Sequence, residues 1–552
     1  MTHANRAPHP KGPLTGRPPA RSERGMVSTP HALASVTGLH VLRRGGSAVD
    51  AAIAANAVLG VVYPHMAGLG GDAFALIQDD DGAVGLNASG PAGREATRYH
   101  YERLGLSEIP SRGPRAALTV PGAVDGWRAM HERFGRLDWA ELFEDAIHHA
   151  RTGVPVSRSL AAWLPRREAL LSRDECAAAL FLPGGEVPRE GRPLHNPDLA
   201  ESLEAIARLG AREGFYEGRL AEQLCVDGSP LRPADFAEYR ASWVSPISAT
   251  YRGVEVLEMP PNTQGFTALQ MLGLIEAEDV AAWGDLSPDY LHFAAEAAKV
   301  AFADRDAWIT DPEVLEIPVE HLISRDYLAG RRRLISRESS LAAHQIEPGV
   351  GRRPDRPAVP GGTDTCFLCA VDSDGMAVSL IQSIYHDFGA GVVAPGTGTL
   401  LQNRGSYFSL DESHHNRLAP GKRTFHTLIP AMLRRDDGTP YALLGAMGGE
   451  GQPQTHLALI TRLIDFGYDV QQAIEAPRWL VGRTWGTASP DLCLEGRIPA
   501  EVAEELRRRG HEVRTLGDWQ EEFGHAQAIR IHPDGFLEGG ADPRGDGTAL
   551  GY

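Results

Sequence analysis

The feature that most constrains this chain is a change of pattern at Thr365. Residues 337–363, RESSLAAHQIEPGVGRRPDRPAVPGGT, are polar and proline-rich with almost no periodic apolar content. They read as an exposed, mobile linker. Directly afterwards the hydrophobic period switches to two. Thr365–Val371 predicts a strand, Asp372–Gly375 a hairpin turn and Met376–Ile384 the returning strand. A hydroxyl residue therefore opens a strand at the end of a linker. A threonine hydroxyl is a poor nucleophile without a base beside it. One remedy is to make the threonine N-terminal, so that its own α-amine, of reference pKa about 7.7–8, takes the proton. A chain that cut itself before Thr365 would gain such a base. Taken alone, a threonine at a strand start is ordinary sheet chemistry.

Composition removes several other chemistries. With 72 acidic and 54 basic side chains the formal charge is −18, which argues against a nucleic-acid partner. No run of 18 apolar residues exists to span a membrane. Only three lysines occur, Lys11, Lys299 and Lys422. A Walker-type phosphate loop is therefore absent, and Lys299 is the one candidate for a Schiff base. The five cysteines are scattered and do not form a disulfide framework. The Pro- and Arg-rich residues 1–25 lack the apolar region of a secretory signal. They read as a disordered tail, and the expected compartment is the cytoplasm.

Thr29-Pro30 supplies a cap and first-turn proline for a helix that stops at Gly45-Gly46. Ser47 and Asp50 form a capping box for a second, alanine-rich helix ending before Pro64, which small residues assign to the core. Residues 66–91 read as strand, Asp-Gly turn, strand, and 118–340 as mainly helical, with helices near 197–209, 287–307 and 321–336. Helices return near 453–465 and 499–509, and a hairpin turns at Pro533-Asp534-Gly535.

Other motifs favour structural readings. Cys366 and Cys369 are an odd number apart on a strand, so their sulfurs face opposite sides of the sheet. Gly68-Leu-Gly70-Gly71 lacks the last glycine of a dinucleotide fingerprint, Ala73 standing there, and reads as a tight turn. His148-His149 and His414-His415 have no spaced partners, so no metal site is expected. No Gly-x-Ser-x-Gly elbow occurs. Gly448-Gly449 is different. It leads into an apparent helix, where backbone N–H groups can form an oxyanion hole.

With this turn and the ending ADPRGDGTALGY, the sequence resembles the γ-glutamyltranspeptidase family of N-terminal-nucleophile hydrolases. VLRRGGSAVDAAIAA, YPHMAGLGGDAF, TVPGAVDGW, FGAGVVAPGTGTLLQN and GKRTFHTLIPAM carry the likeness in family order, from about residue 26 to the end. The resemblance implies an α+β fold, a four-layer αββα sandwich, formed by a precursor that cleaves itself between Asp364 and Thr365. The expected products are a large subunit, 26–364 with its linker at 337–364, and a small subunit, 365–552. They pair as a heterodimer, and further pairing of heterodimers stays open. No cofactor is implied.

The same resemblance puts the nucleophile at Thr365, with Phe367 where the usual pattern has His. Thr363 is the rival, two residues too early for the strand. The assisting hydroxyl maps to Ser383 and the oxyanion glycines to Gly448 and Gly449. The family's glutamyl clamp is missing. Its carboxylate-binding arginine falls at Asn87 and its amine-binding aspartate at Tyr407. A neighbouring asparagine becomes Tyr385, and the serine pair becomes His426 and Thr427. Ser383-Ile-Tyr385-His, Gln402-Asn403-Arg404-Gly, MGGEGQPQ and PRWLVGRTW look most like the oxamate amidohydrolase branch, which hydrolyses a small α-oxo-acid amide. A small anion still needs a cation. Arg404, beside Asn403, is the candidate, against a plain strand-pairing arginine. His426 is a second donor, against an ordinary core histidine. The competing functions are a γ-glutamyl hydrolase or transferase acting on glutathione, and a matured but inactive binding protein.

Overall fold

A computed structural model describes residues 15–351, 364–482, 489 and 491–552. Residues 1–14, the linker from 352 to 363 with Thr363, and most of the GRTW segment lie outside the described residues.

Two seven-stranded sheets form the centre. In spatial order the first holds Thr548–Gly551, Met26–Thr29, Asp364–Val371, Ala377–Tyr385, Asp72–Asp79, Gly82–Ala88 and Ser242–Val244. The second holds Ala20–Ser22, Leu537–Ala541, Ala526–Ile531, Pro440–Ala446, Ala431–Arg434, Val254–Glu258 and Ile247–Tyr251. Phe74, Leu76, Phe367, Cys369 and Ile381 of the first sheet interdigitate with Leu257, Met432, Leu443 and Ile529 of the second. That apolar layer is the filling of a sandwich. The outer face of the first sheet carries the helix Ala48–Val62, buried along its whole length, and its neighbours. Gly265–Ile275, Pro288–Trp308 and Gln452–Ile464 cover the outer face of the second. The fold is the four-layer αββα sandwich.

Local chemistry explains the elements that the sequence announces. Ser47 and Asp50 close the capping box, and the helix stops at Val62 before Pro64. Strands Asp72–Asp79 and Gly82–Ala88 meet at Asp79 and Gly82, as the Asp-Gly turn requires. Cys366 packs with the outer helices and Cys369 between the sheets, so strand alternation does separate them.

Two expectations need correction. The first helix is capped by His31, whose side chain accepts from Leu33 N, because Thr29 spends its hydroxyl on His31 and Ser35. The part of the tail within the described residues is structured: Ala20–Ser22 pairs with Leu537–Ala541 and Thr15 is held by Glu475. The stretch 118–340 is mainly helical as read, and it also holds the strands Ser242–Val244, Ile247–Tyr251 and Val254–Glu258. Within 337–351, most residues are exposed, but Ser340 N bonds Arg509 O and Gly349 N bonds Asp304. Among the described residues no helix is long and apolar enough to cross a membrane.

Candidate active site

Asp364–Val371 lies in the middle of the first sheet, and Thr365 is 1 % exposed. Asp364 pairs with Tyr385 and Cys366 with Gln382, so Ser383 and Ile384 together oppose Thr365. Such a bulge re-aims side chains at a strand end. Here the Ser383 hydroxyl donates to the Asp364 carbonyl oxygen, the carbonyl of the peptide bond before Thr365. It also accepts from Tyr385 N at 2.8 Å. The reading of Gly68–Gly71 as a turn gains a second reason. A Cβ on Gly71 would stand 2.4 Å from Ser383 O, so a bare backbone is needed beside this strand. The Asp364 carboxyl is buried without a hydrogen bond on either oxygen. Burial and then Asp387 push it well above the usual carboxylate range, against Arg112 and Arg167.

Beyond Ser383 the side chains form a closed ring. Tyr385 holds φ at 82°, a strained region for a non-glycine residue, and its ring lies 4.0 Å from the Arg404 guanidinium. Tyr407 flanks the same cation at 6.0 Å. Arg404 Nη1 donates to Thr427 Oγ1 at 3.3 Å. Gln264 Nε2 donates to Thr427 O and to Gly449 O, both at 2.9 Å. Arg305 bonds Gln264 Oε1 at 3.0 Å and Glu450 Oε2 at 3.2 Å. Glu450 Oε1 accepts from the Tyr407 hydroxyl at 3.0 Å, which completes the circuit. Arg404 is 1 % exposed and its Nε has no partner. Among the described residues no carboxylate forms an ion pair with it. Burial lowers its guanidinium to about 10, with Tyr385, Tyr407 and Asp72 opposing, so it stays a cation at neutral pH. It is no strand-pairing arginine; it lies in the short helical turn Arg404–Tyr407.

His426 and Asn87 belong to a neighbouring cluster. His426 Nε2 stands 3.2 Å from Asp72 Oδ2. Asp72 Oδ1 accepts from Gly90 N, Gly122 N and Gln402 Nε2. Burial raises Asp72 to about 7 despite those bonds and the Arg404 charge. Burial and then Arg404 drive His426 well below its usual value, so it is neutral. Asn87 donates to Asn262 Oδ1 at 2.9 Å and accepts from Ser89. His426 N bonds Asn262 O at 2.8 Å. Asn403 turns toward His386 and Ser111 O rather than Arg404's side of the loop.

Gly448 (φ 137°) and Gly449 (φ 51°) form the turn before the helix Gln452–Ile464, a geometry open to glycine. Sequence reasoning missed Gln264, Arg305 and Glu450. Their partners in the ring lie tens to hundreds of residues away, although Arg305 also pairs with its neighbour Asp306, so no local spacing marks them. Among the described residues one grouping has metal-ligand chemistry, His292, Glu296 and His511, two of them on the helix that also carries Arg305. There His292 Nδ1 is hydrogen-bonded to His511 Nε2 at 2.7 Å and Glu296 is ion-paired with Lys299.

The αββα sandwich, with Thr365 buried beside a bulged serine in its first sheet, is a fold of the N-terminal-nucleophile type. The family model for Gamma-glutamyltranspeptidase matches residues 34–552. A glutathione hydrolase-like proenzyme, YwrD, of Bacillus subtilis is 44 % identical over 95 % of this chain and 98 % of its own. An oxamate amidohydrolase proenzyme of Klebsiella pneumoniae is 43 % identical over 96 % of this chain and 99 % of its own. The crystal structure of a cephalosporin acylase from Bacillus halodurans superposes with a TM-score of 0.89 at 37 % identity, covering 100 % of this chain and 99 % of that one. The chain belongs to the gamma-glutamyltranspeptidase family, and with it to the self-processing amide-bond hydrolases.

Proposed function

We propose that this protein cleaves itself before Thr365 and then hydrolyses a small anionic amide of the oxamate type through a threonyl acyl-enzyme. The observation that carries the substrate class is Arg404, a buried cation flanked by two tyrosine rings and lacking a carboxylate partner. Such a charge is costly to hold unless an anion arrives to meet it. A substrate carboxylate would take the free edge of the guanidinium and the Thr427 hydroxyl. Tyr385 and Tyr407 limit its length.

In the cleaved form the Thr365 amine accepts the hydroxyl proton as Oγ attacks the amide carbonyl. The N–H groups of Gly448 and Gly449 hold the oxyanion. The amine returns the proton to the departing ammonia, and water releases the acid by the same path reversed. Ser383 fixes the nucleophile's orientation. No cofactor takes part.

A γ-glutamyl substrate would also need a carboxylate for its α-ammonium. Glu450, the acid of the ring, is already engaged by Arg305 and Tyr407. The name of the Klebsiella relative agrees with the small-amide reading, and that of the Bacillus subtilis relative suggests the alternative. Ammonia release from oxamate, beside release of nitroaniline from a γ-glutamyl anilide, separates them. The expected result is turnover of oxamate alone; efficient cleavage of the anilide instead would overturn it. Thr365→Ala should abolish both maturation and turnover.

A further inference from the structure

The glycine pair that must hold an oxyanion has little rigidity of its own. Gly448 and Gly449 both take positive φ, and their turn is closed internally by the bond from Gly451 N to Gly448 O at 2.8 Å. Oxyanion donors must nevertheless be fixed to within about 0.5 Å. The constraint comes from outside the turn. Gln264 is completely buried, and both hydrogens of its amide are used, on Gly449 O and on Thr427 O. Its oxygen accepts from Arg305 Nη1. This set fixes the amide orientation, because a flipped amide would face two carbonyls with its oxygen and a guanidinium with its NH2. Arg305 reaches on to Glu450, inside the same turn. The Gln264 backbone N–H also bonds His426 O at 3.1 Å, next to Thr427. One carboxamide therefore ties the glycine turn to the segment, just ahead of the strand Ala431–Arg434, that carries the Arg404 contact.

We infer that Gln264, with Arg305 behind it, is a positioning residue that sets the oxyanion turn in register with the anion site. This rests on the reading of Gly448 and Gly449 as the oxyanion hole. It touches neither nucleophile nor substrate, and it acts through the peptide planes it holds. A shift of about 1 Å in such donors reduces turnover by about 100-fold.

The test is Gln264→Leu, similar in size but without hydrogen bonds, and Arg305→Lys, which keeps the charge beside Glu450 and loses the bond to Gln264. On the matured enzyme, kcat for oxamate should fall about 10- to 100-fold in Gln264→Leu and less in Arg305→Lys. KM should change under about threefold, because the Arg404 side chain is held by Tyr385 and Tyr407. A small alkylboronic acid, which forms a tetrahedral adduct on the Thr365 oxygen, should lose affinity in parallel. If Gln264→Leu does not fold, Gln264→Met takes its place. Unchanged kcat and boronate affinity in a folded variant overturn the inference. If wild type leaves oxamate untouched but binds the boronate, and the variant binds it less tightly, the substrate reading fails and the positioning role stands.

Discussion

The Ser383 hydroxyl donates its hydrogen bond to the Asp364 carbonyl, the group that the proposed self-cleavage before Thr365 would attack. Polarising that oxygen in a dry site favours the tetrahedral state. Ser383→Ala should slow self-cleavage about 10- to 1000-fold. A time course of the full-length band on a denaturing gel checks it, and Ser383→Thr, which keeps the hydroxyl, should restore processing.

Arg404 should govern substrate affinity rather than chemistry. Replacing it by Gln removes charge-assisted bonds of about 1.5–3 kcal/mol, so KM for oxamate should rise about 10- to 100-fold with a smaller change in kcat. Lysine should not rescue it, because an ammonium does not present a flat fork between Tyr385 and Tyr407. Initial rates across a substrate range decide the split.

Asp72 brings a pH dependence. Its carboxyl, raised to about 7, is neutral below that value and becomes an anion near Arg404 above it. A new negative charge competes with the substrate carboxylate for the same cation. KM for oxamate should therefore rise a few-fold, about 1 kcal/mol, between pH 6 and 8. Asp72→Asn should flatten that rise. The same sign applies to stability: a raised carboxyl favours the fold at low pH, and the benefit is lost as pH passes through about 7.

The sequence was informative wherever the chain determines itself locally. The capping box at Ser47, the Asp-Gly hairpin and the alternation of Cys366 and Cys369 depend on neighbours within a few positions. The strands from 242 to 258 were missed because they are three to five residues long and largely half-exposed, too short for a period to stand out. The ring around Arg404 was half legible. Tyr385, Arg404, Tyr407 and Thr427 came from family resemblance, whereas Gln264, Arg305 and Glu450 acquire meaning only when distant segments meet. Asn87 is the reverse case: alignment put it at the clamp, and the folded chain uses it to hold Asn262 and Ser89.

The ending ADPRGDG, striking the eye as a signature, does structural work. Asp542 is fully buried and ion-paired with Arg478 and Arg544, and Arg544 also bonds Glu495 at 2.6 Å. Burial alone would raise the Asp542 carboxyl, but Arg478 and Arg544 hold it far below its usual range. Its stabilisation is thus present at neutral pH and is lost as pH falls below about 4, where the unfolded carboxylate protonates. Asp542→Asn leaves two buried guanidinium groups short of an anion and should destabilise by about 3–5 kcal/mol. Urea unfolding of the cleavage-defective Thr365→Ala precursor at pH 7 measures it.

Both sheets weave residues from before and after position 364. Asp364–Val371 lies between Met26–Thr29 and Ala377–Tyr385, and Leu537–Ala541 between Ala20–Ser22 and Ala526–Ile531. The proposed cut there would leave the weave intact, so the two pieces would hold together without a covalent link. It would also erase the instruction that joined them. A heated precursor still carries one continuous thread to rewind, whereas a heated mature molecule has two ends that must find each other in solution. Maturation at this bond, as proposed, would make folding a one-time event for each molecule.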